Sequence, residues 1–323
     1  MENIKVSVIM ATHKTNEEIL EESINSILKQ TYKNIEFIIV CDGDKEEYNR
    51  LKRIQDERVK VFLNEENRGL PYSLNLAIKN STGEYIARMD SDDICIEDRI
   101  KKQVEYLENN KNVGVCGTNA LLFGEKEGKK EIYLNNIEQI KVQLLYRATL
   151  VHPTVMIRRS VLNEFKYNEE YVCAQDFELW SRISEKINIA IVPIIGLKYR
   201  IHKKQASKEK EGIQKKLSMQ VIKNNSKKIT GKFDNKIYET LLILGGRKEF
   251  NKNNYKEVSD KIDYIIEKNK IFSNFKHKDM KKVLYNRFFE LMIKNKILPL
   301  NTKTMLKCMK VYNFREIIGV IIK

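Results

Sequence analysis

No run of apolar residues in this chain approaches the roughly 18 that a membrane-crossing helix requires. The densest stretch, Ile189 to Leu197, is far shorter and contains Pro193. The first residues, Met1 to Lys5, lead straight into a strand pattern and lack the apolar segment of a secretory signal, so the expected location is the cytoplasm. Cysteines are few. Cys41, Cys95, Cys116, Cys173 and Cys308 are odd in number and form no CxxC pair, which excludes a disulfide framework or a cysteine zinc site and predicts reduced, mostly buried thiols. Neither GxGxxG nor GxxxxGK[ST] occurs, which excludes a dinucleotide fingerprint and a P-loop. Any phosphate binding must therefore rest on side chains and a cation.

An excess of one charge is missing from most of the chain. The net charge is +15, yet residues 1–203 hold 30 Lys and Arg against 32 Asp and Glu, whereas residues 204–323 hold 29 against 12. The excess lies in the last third. An anionic partner, membrane phospholipid or nucleic acid, accounts for such asymmetry, and so does a Lys- and Asn-rich composition alone. The aromatics of this region fall largely on apolar faces instead of alternating with the cations, which argues against nucleic acid.

At 323 residues the chain is long for one core, and its pattern changes near residue 205. Before it, short apolar runs alternate with helical periodicity: strands at 4–11, 35–40, 59–63, 84–89 and 113–116, helices at 16–29, 45–54, 70–80 and 97–108. Continuous apolar strands in a βαβα rhythm predict an α/β fold, a mainly parallel sheet covered by helices on both faces. A polar turn follows at 124–130, then a helix at 136–146, an extended segment at 151–157, a helix ending near Lys186, and two strands at 189–197 and 198–201. From Ser207 the pattern is helical throughout, at 213–228, 236–244, 255–267, 280–294 and 302–310, closed by an apolar run at 314–322. The expected domains are 1–205 and a basic helical region, 206–323.

Ligands of such sheets sit beyond the carboxyl ends of the strands. Polar groups collect there four times: Thr12 and His13, Asp42 and Gly43, Asn67-Arg68-Gly69, and Asp90 to Asp93. The last group is the focus. An apolar strand, Tyr85 to Met89, runs into Asp90, Ser91, Asp92 and Asp93. Carboxylates this close repel one another unless a cation lies among them, and oxygen donors suit Mg²⁺ or Mn²⁺. Acids on a turn also serve simply to solvate it or to cap a helix. An EF-hand loop is excluded, because Ile94 and Cys95 stand where a ligand and Gly are needed. Asp176, ahead of the apolar stripe Phe177, Trp180 and Ile183, is equally readable as a helix N-cap or first-turn acid.

Eight segments taken together resemble the family 2 glycosyltransferases, an inverting group with the GT-A fold. They are Val6 to His13, Ser26 to Tyr32, Phe37 to Gly43, Asn67 to Asn75, Gly83 to Asp93, His152 to Thr154, Gln175 to Trp180 and Tyr199 to His202, in the family's order. The resemblance implies a UDP-sugar donor and a divalent metal, Mn²⁺ or Mg²⁺. By it, Asp42 accepts from the uracil ring, His13 and Thr12 lie along the base, and Arg68 and Gly69 lie near the ribose or diphosphate. Asp90, with Ser91 beside it, contacts the ribose and the metal shell, Asp92 binds the metal, and His202 completes the shell. Asp176 matches the general base. The chain departs from the common pattern at Ala11, His13, Cys41 and Gln175, and none of these removes a metal oxygen or the base. His152 is expected to be structural.

The reaction implied is direct displacement at the anomeric carbon, with Asp176 taking the proton of an acceptor hydroxyl. The acceptor class is a glycan or lipid-linked oligosaccharide of a surface polysaccharide, such as capsule or lipopolysaccharide, with the basic tail against the inner face of the membrane. Two other classes compete on the residues. A sugar-nucleotide-forming nucleotidyltransferase needs a Gly-rich, cationic loop after the first strand, which Ala11 to Lys14 does not supply. A non-enzymatic basic module binding membrane or RNA requires that residues 204–323 alone carry the activity.

Overall fold

In a computed structural model, which describes residues 3–130, 132, 134, 136–202 and 210–297, the chain separates into two compact units. One comprises Met1–Tyr133 and Leu150–Gln214, and the other Leu134–Thr149 and Lys215–Lys323.

The first unit is built around two strands that have no solvent face. β1 (Val6–Thr12) and β2 (Ile35–Asp42) are buried almost end to end, and each fully buried Ile or Val contributes about 1.5–3 kcal/mol. β3 (Val59–Asn64) flanks β2, and β4 (Tyr85–Asp90) flanks β1, all parallel, with Thr12 opposite Cys41, Ala11 opposite Asp90 and Asp42 opposite Asn64. Four strand tips therefore meet at one edge. The crossovers are α1 (Glu17–Leu28), α2 (Lys45–Leu51) and α3 (Leu70–Lys79). The side chains of Asn16 and Asp44 cap α1 and α2 by accepting from Ile19 and Glu47 N–H. Gly69, at φ +86°, turns the chain into α3, and Pro71 follows in the first turn.

Beyond β4 the sheet is mixed. The strands are β5 (Ile94–Cys95), β6 (Val113–Gly124), β7 (Gly128–Lys130), β8 (Met156–Arg158) and β9 (Asn188–Ile201), with helices α4 (Arg99–Asn109), α6 (Arg159–Glu164) and α7 (Gln175–Ile183) between them. The order is β3-β2-β1-β4-β8-β6-β9-β5, with β7 on β6. β8 runs antiparallel between β4 and β6, and β5 antiparallel on β9. The α/β expectation holds, with the parallel character concentrated in the first four strands.

Two local expectations change. The segment 151–157 is a 3-10 turn, His152–Thr154, leading into β8. The two strands expected at 189–201 are one, β9, paired parallel with β6 along its length. Pro193 falls between Val192, opposite Thr118, and Ile195, opposite Asn119, where the register shifts. A bulge there spares the ladder the missing N–H.

The second unit is helical: α5 (Ile137–Gln143), α8 (Glu211–Thr230, most of it in this unit), α9 (Asn235–Leu244), α10 (Tyr255–Phe272) and α11 (His277–Lys294). Its core includes Ile222, Leu241, Ile262, Leu284 and Phe288, all buried. Asn225 Nδ2 donates to the Leu144 carbonyl at 2.8 Å, tying α8 to the segment after α5. The helix expected at 302–310 and the closing apolar run lie outside the described residues. Among the described residues no helix is long and apolar enough to cross a membrane.

Candidate active site

The tip of β2 shapes the first part of the site. Asp42 is buried, and its Oδ1 accepts from Asn64 Nδ2 (2.8 Å) and Arg68 N–H (2.9 Å) while Oδ2 accepts from Gly69 N–H (2.8 Å). One carboxylate thus orders the whole β3–α3 loop. Gly43, at φ +75°, has the Asn67 nitrogen only 2.4 Å from where a Cβ would stand, so no other residue fits. His13 Nδ1 lies 2.6 Å from the Asp42 carbonyl, which can only accept, so that nitrogen carries the proton. Arg68 stacks over the Tyr72 ring at 4.2 Å.

A hydroxyl chain connects this region to the acids. Thr12 Oγ1 lies 2.9 Å from Thr15 Oγ1, which lies 2.9 Å from Ser91 Oγ. Beneath it is Glu47, which the sequence reading missed. It is buried, accepts from Thr15 N–H, and has one oxygen without a partner. Burial raises its pKa, opposed by a hydrogen bond from Thr12.

The acids stand on the turn between β4 and β5. Oxygens of Asp90, Asp92 and Asp93 all lie within 4.8 Å of one another. Arg88, itself buried, pairs with both oxygens of Asp90. Asp92 Oδ2 lies 2.9 Å from His202 Nε2, at the end of β9. Asp93 is buried; its Oδ1 accepts from Arg200 N–H at 2.8 Å, and its Oδ2 has no partner. Burial raises the pKa of Asp90, against the pull of Arg88, and raises that of Asp93 well above the carboxylate range, with Asp90 and Asp92 adding to it. Arg200 closes the turn by donating to the Asp92 carbonyl at 2.7 Å and reaching Glu22.

Asp176 lies in the first turn of α7, half-buried. Burial raises its pKa, opposed by the Phe177 N–H and by Arg88 and Lys130. It shares the field of Asp90. Lys130, at the end of β7, sits 4.9 Å over the Tyr199 ring. His152 is buried, hydrogen-bonded to Tyr167 Oη at 2.8 Å and edge-on to Trp180, and burial holds it neutral, as fits a structural residue.

Asp90, Ser91, Asp92 and His202 come together at the β4–β5 turn, and Thr12, His13, Asp42, Arg68 and Gly69 at the tips of β1 to β3. Arg88 was missed although its signal was present: a lone charge in a strand otherwise apolar. Glu47, Arg200 and Lys130 had no such signal, since each sits in a segment already rich in charge.

Similar proteins are found among the glycosyltransferases. The model of glycosyl transferase family 2 matches residues 7–166. An uncharacterised glycosyltransferase of Methanocaldococcus jannaschii is 36% identical over 211 residues, covering 62% of this chain and 72% of the relative. The Escherichia coli UDP-Glc:alpha-D-GlcNAc-diphosphoundecaprenol beta-1,3-glucosyltransferase WfgD is 31% identical over 214 residues, covering 65% and 82%. Among solved structures, residues 1–349 of S. aureus TarS, crystallised with UDP, align with a TM-score of 0.59 at 17% identity, covering 96% of this chain and 89% of that one. That likeness gives the GT-A fold.

Proposed function

We propose, because the chain belongs to glycosyl transferase family 2, that this glycosyltransferase moves a sugar from a UDP-sugar to a hydroxyl of a glycan or lipid-linked acceptor, with inversion, in surface polysaccharide synthesis such as O-antigen or capsule. The observation that carries this reading is the meeting of Asp92 and His202, 110 positions apart in sequence, within one group of carboxylates. The WfgD relative supports the acceptor class, since its name specifies a diphosphoundecaprenol-linked sugar. The catalytic region proposed is 1–205, with 206–323 the basic helical region.

The donor atoms fit a hard divalent ion: clustered carboxylate oxygens, one of them without a partner, beside an imidazole. Asp92 and His202 would hold Mn²⁺ or Mg²⁺ directly, with Asp90 at the edge of the shell. When bound, the ion neutralises charge growing on the departing diphosphate. Thr12, His13 and Asp42 hold the base, Arg68 and Gly69 the ribose or diphosphate, and Ser91 the loop between. Asp176 takes the acceptor proton, and its desolvation strengthens it as a base. The cationic region from residue 204, where Phe233, Ile271 and Phe272 are exposed, would rest on an anionic membrane at its inner face. No nucleic-acid partner is proposed.

The test is a panel of nucleotide-sugars with and without Mn²⁺, scored by nucleotide release. Release from a UDP-sugar that depends on Mn²⁺ is expected. Failure with every donor overturns the reading.

A further inference from the structure

Arg88 is an unusual residue for its place. It interrupts the apolar strand β4, its side chain is 3% exposed, and it is clamped by its own backbone, the N–H donating to the Val155 carbonyl (2.9 Å) and the carbonyl accepting from Arg99 Nη2 (2.8 Å). Both of its terminal nitrogens go to Asp90, one to each oxygen, while Nε has no partner. Asp90 is fixed from the main chain as well, its carbonyl accepting from Ser23 Oγ at 2.9 Å. The other two acids are held differently. Asp92 faces an imidazole, and Asp93 has a free oxygen.

A planar guanidinium that engages both oxygens takes one lone pair of each and fixes the carboxylate's orientation, so a small cation must compete for what is left. It also sets a fixed positive charge against the cluster of three acids, lowering the negative charge a cation meets there. We propose that Arg88 is a positioning residue that disfavours direct coordination by Asp90 and lowers the negative charge of the turn, leaving Asp92 and His202 to hold the ion. This rests on the metal-dependent reading above.

Calorimetric titration of Mn²⁺ with UDP present tests it on the full chain, with thermal melting as the check on folding. Arg88→Met frees Asp90 and adds one unopposed negative charge, so Mn²⁺ binding tightens by about fivefold or more. Asp90→Asn leaves the guanidinium unopposed and weakens binding by a similar factor, about fivefold. Arg88→Gln, which loses the charge but keeps a polar side chain beside Asp90, tightens Mn²⁺ binding in the same direction. A merely structural role for Arg88 would weaken binding in Arg88→Met, and that result overturns the proposal. So does tighter Mn²⁺ binding in Asp90→Asn. If Arg88→Met does not melt cooperatively, Arg88→Gln decides in its place. A wild type that takes up no Mn²⁺ defeats the metal-dependent reading itself, whereas a binding wild type with an unaltered Arg88→Met defeats only this inference.

Discussion

Asp176→Asn separates catalysis from folding. The substitution keeps an oxygen for the Phe177 N–H, so the first turn of α7 persists, but it removes the proposed proton acceptor. Loss of a general base costs about 10²- to 10⁴-fold in rate, or about 2.7–5.4 kcal/mol of transition-state stabilisation. Stability follows a different sign. Burial raises the pKa of Asp176 in the folded chain, so above that pKa the ionised group costs folding energy, and an amide removes the cost. Against this stands the loss of an acid near a helix N-terminus, about 0.3–1 kcal/mol. The two oppose each other, and the melting temperature should move by less than about 3 °C. In the wild type, activity is lost as pH falls through the raised pKa, earlier than for an ordinary aspartate near 4. UDP release measured across pH, beside melting curves, gives both answers. A D176N variant that keeps more than about a tenth of wild-type activity, or one that melts about ten degrees lower, would refute the assignment.

Further substitutions bear on the scaffold and the ion. Gly43→Ala puts a side chain at a left-handed φ and against the Asn67 nitrogen; the conformation alone costs about 1–2 kcal/mol, so urea unfolding should shift by at least that, with UDP affinity falling as the Arg68 loop is displaced. Asp92→Asn and His202→Ala should each lower Mn²⁺-assisted UDP binding by about tenfold or more, read by calorimetry, with unchanged binding counting against a role at the ion. Glu36 accepts from Ser7, Lys60 and both groups of Thr82, and these hold its pKa far below the usual carboxylate value against the pull of burial. A lowered carboxylate contributes stability above its unfolded pKa and loses it as pH falls, so Glu36→Gln should cost about 1.5–3 kcal/mol at pH 7 and much less near pH 2 by urea denaturation.

The parallel half of the sheet was legible because β1, β2 and β4 are mostly apolar runs, each broken by one polar residue and ending in polar ones, as burial on both faces demands. β8 was not, since three residues carry no period, and its antiparallel place between β4 and β6 is decided by tertiary pairing. β9 read as two strands because its apolar run ends at Leu197 and polar residues alternate from Lys198, and only the pairing with β6 along its length shows one ribbon. The acids were legible as chemistry and His202 only through the resemblance, while Glu47 and Arg200 were not, because burial of a charge within a charged segment is decided by packing from elsewhere.

The continuity of β9 has a consequence for the way this enzyme can vary. Ile94 and Cys95 pair with Lys198 and Leu197 on one side, and Phe123 and Gly124 pair with Arg200 and Ile201 on the other, so the ribbon is gripped by its neighbours up to the residue before His202. Adding or deleting a single residue between Leu197 and Ile201 would swing the imidazole to the opposite side of the sheet and carry it about 3.3 Å along. Length changes can therefore accumulate in the 124–128 hairpin turn, whereas the end of this strand, from Leu197 to Ile201, admits exchange of side chains only.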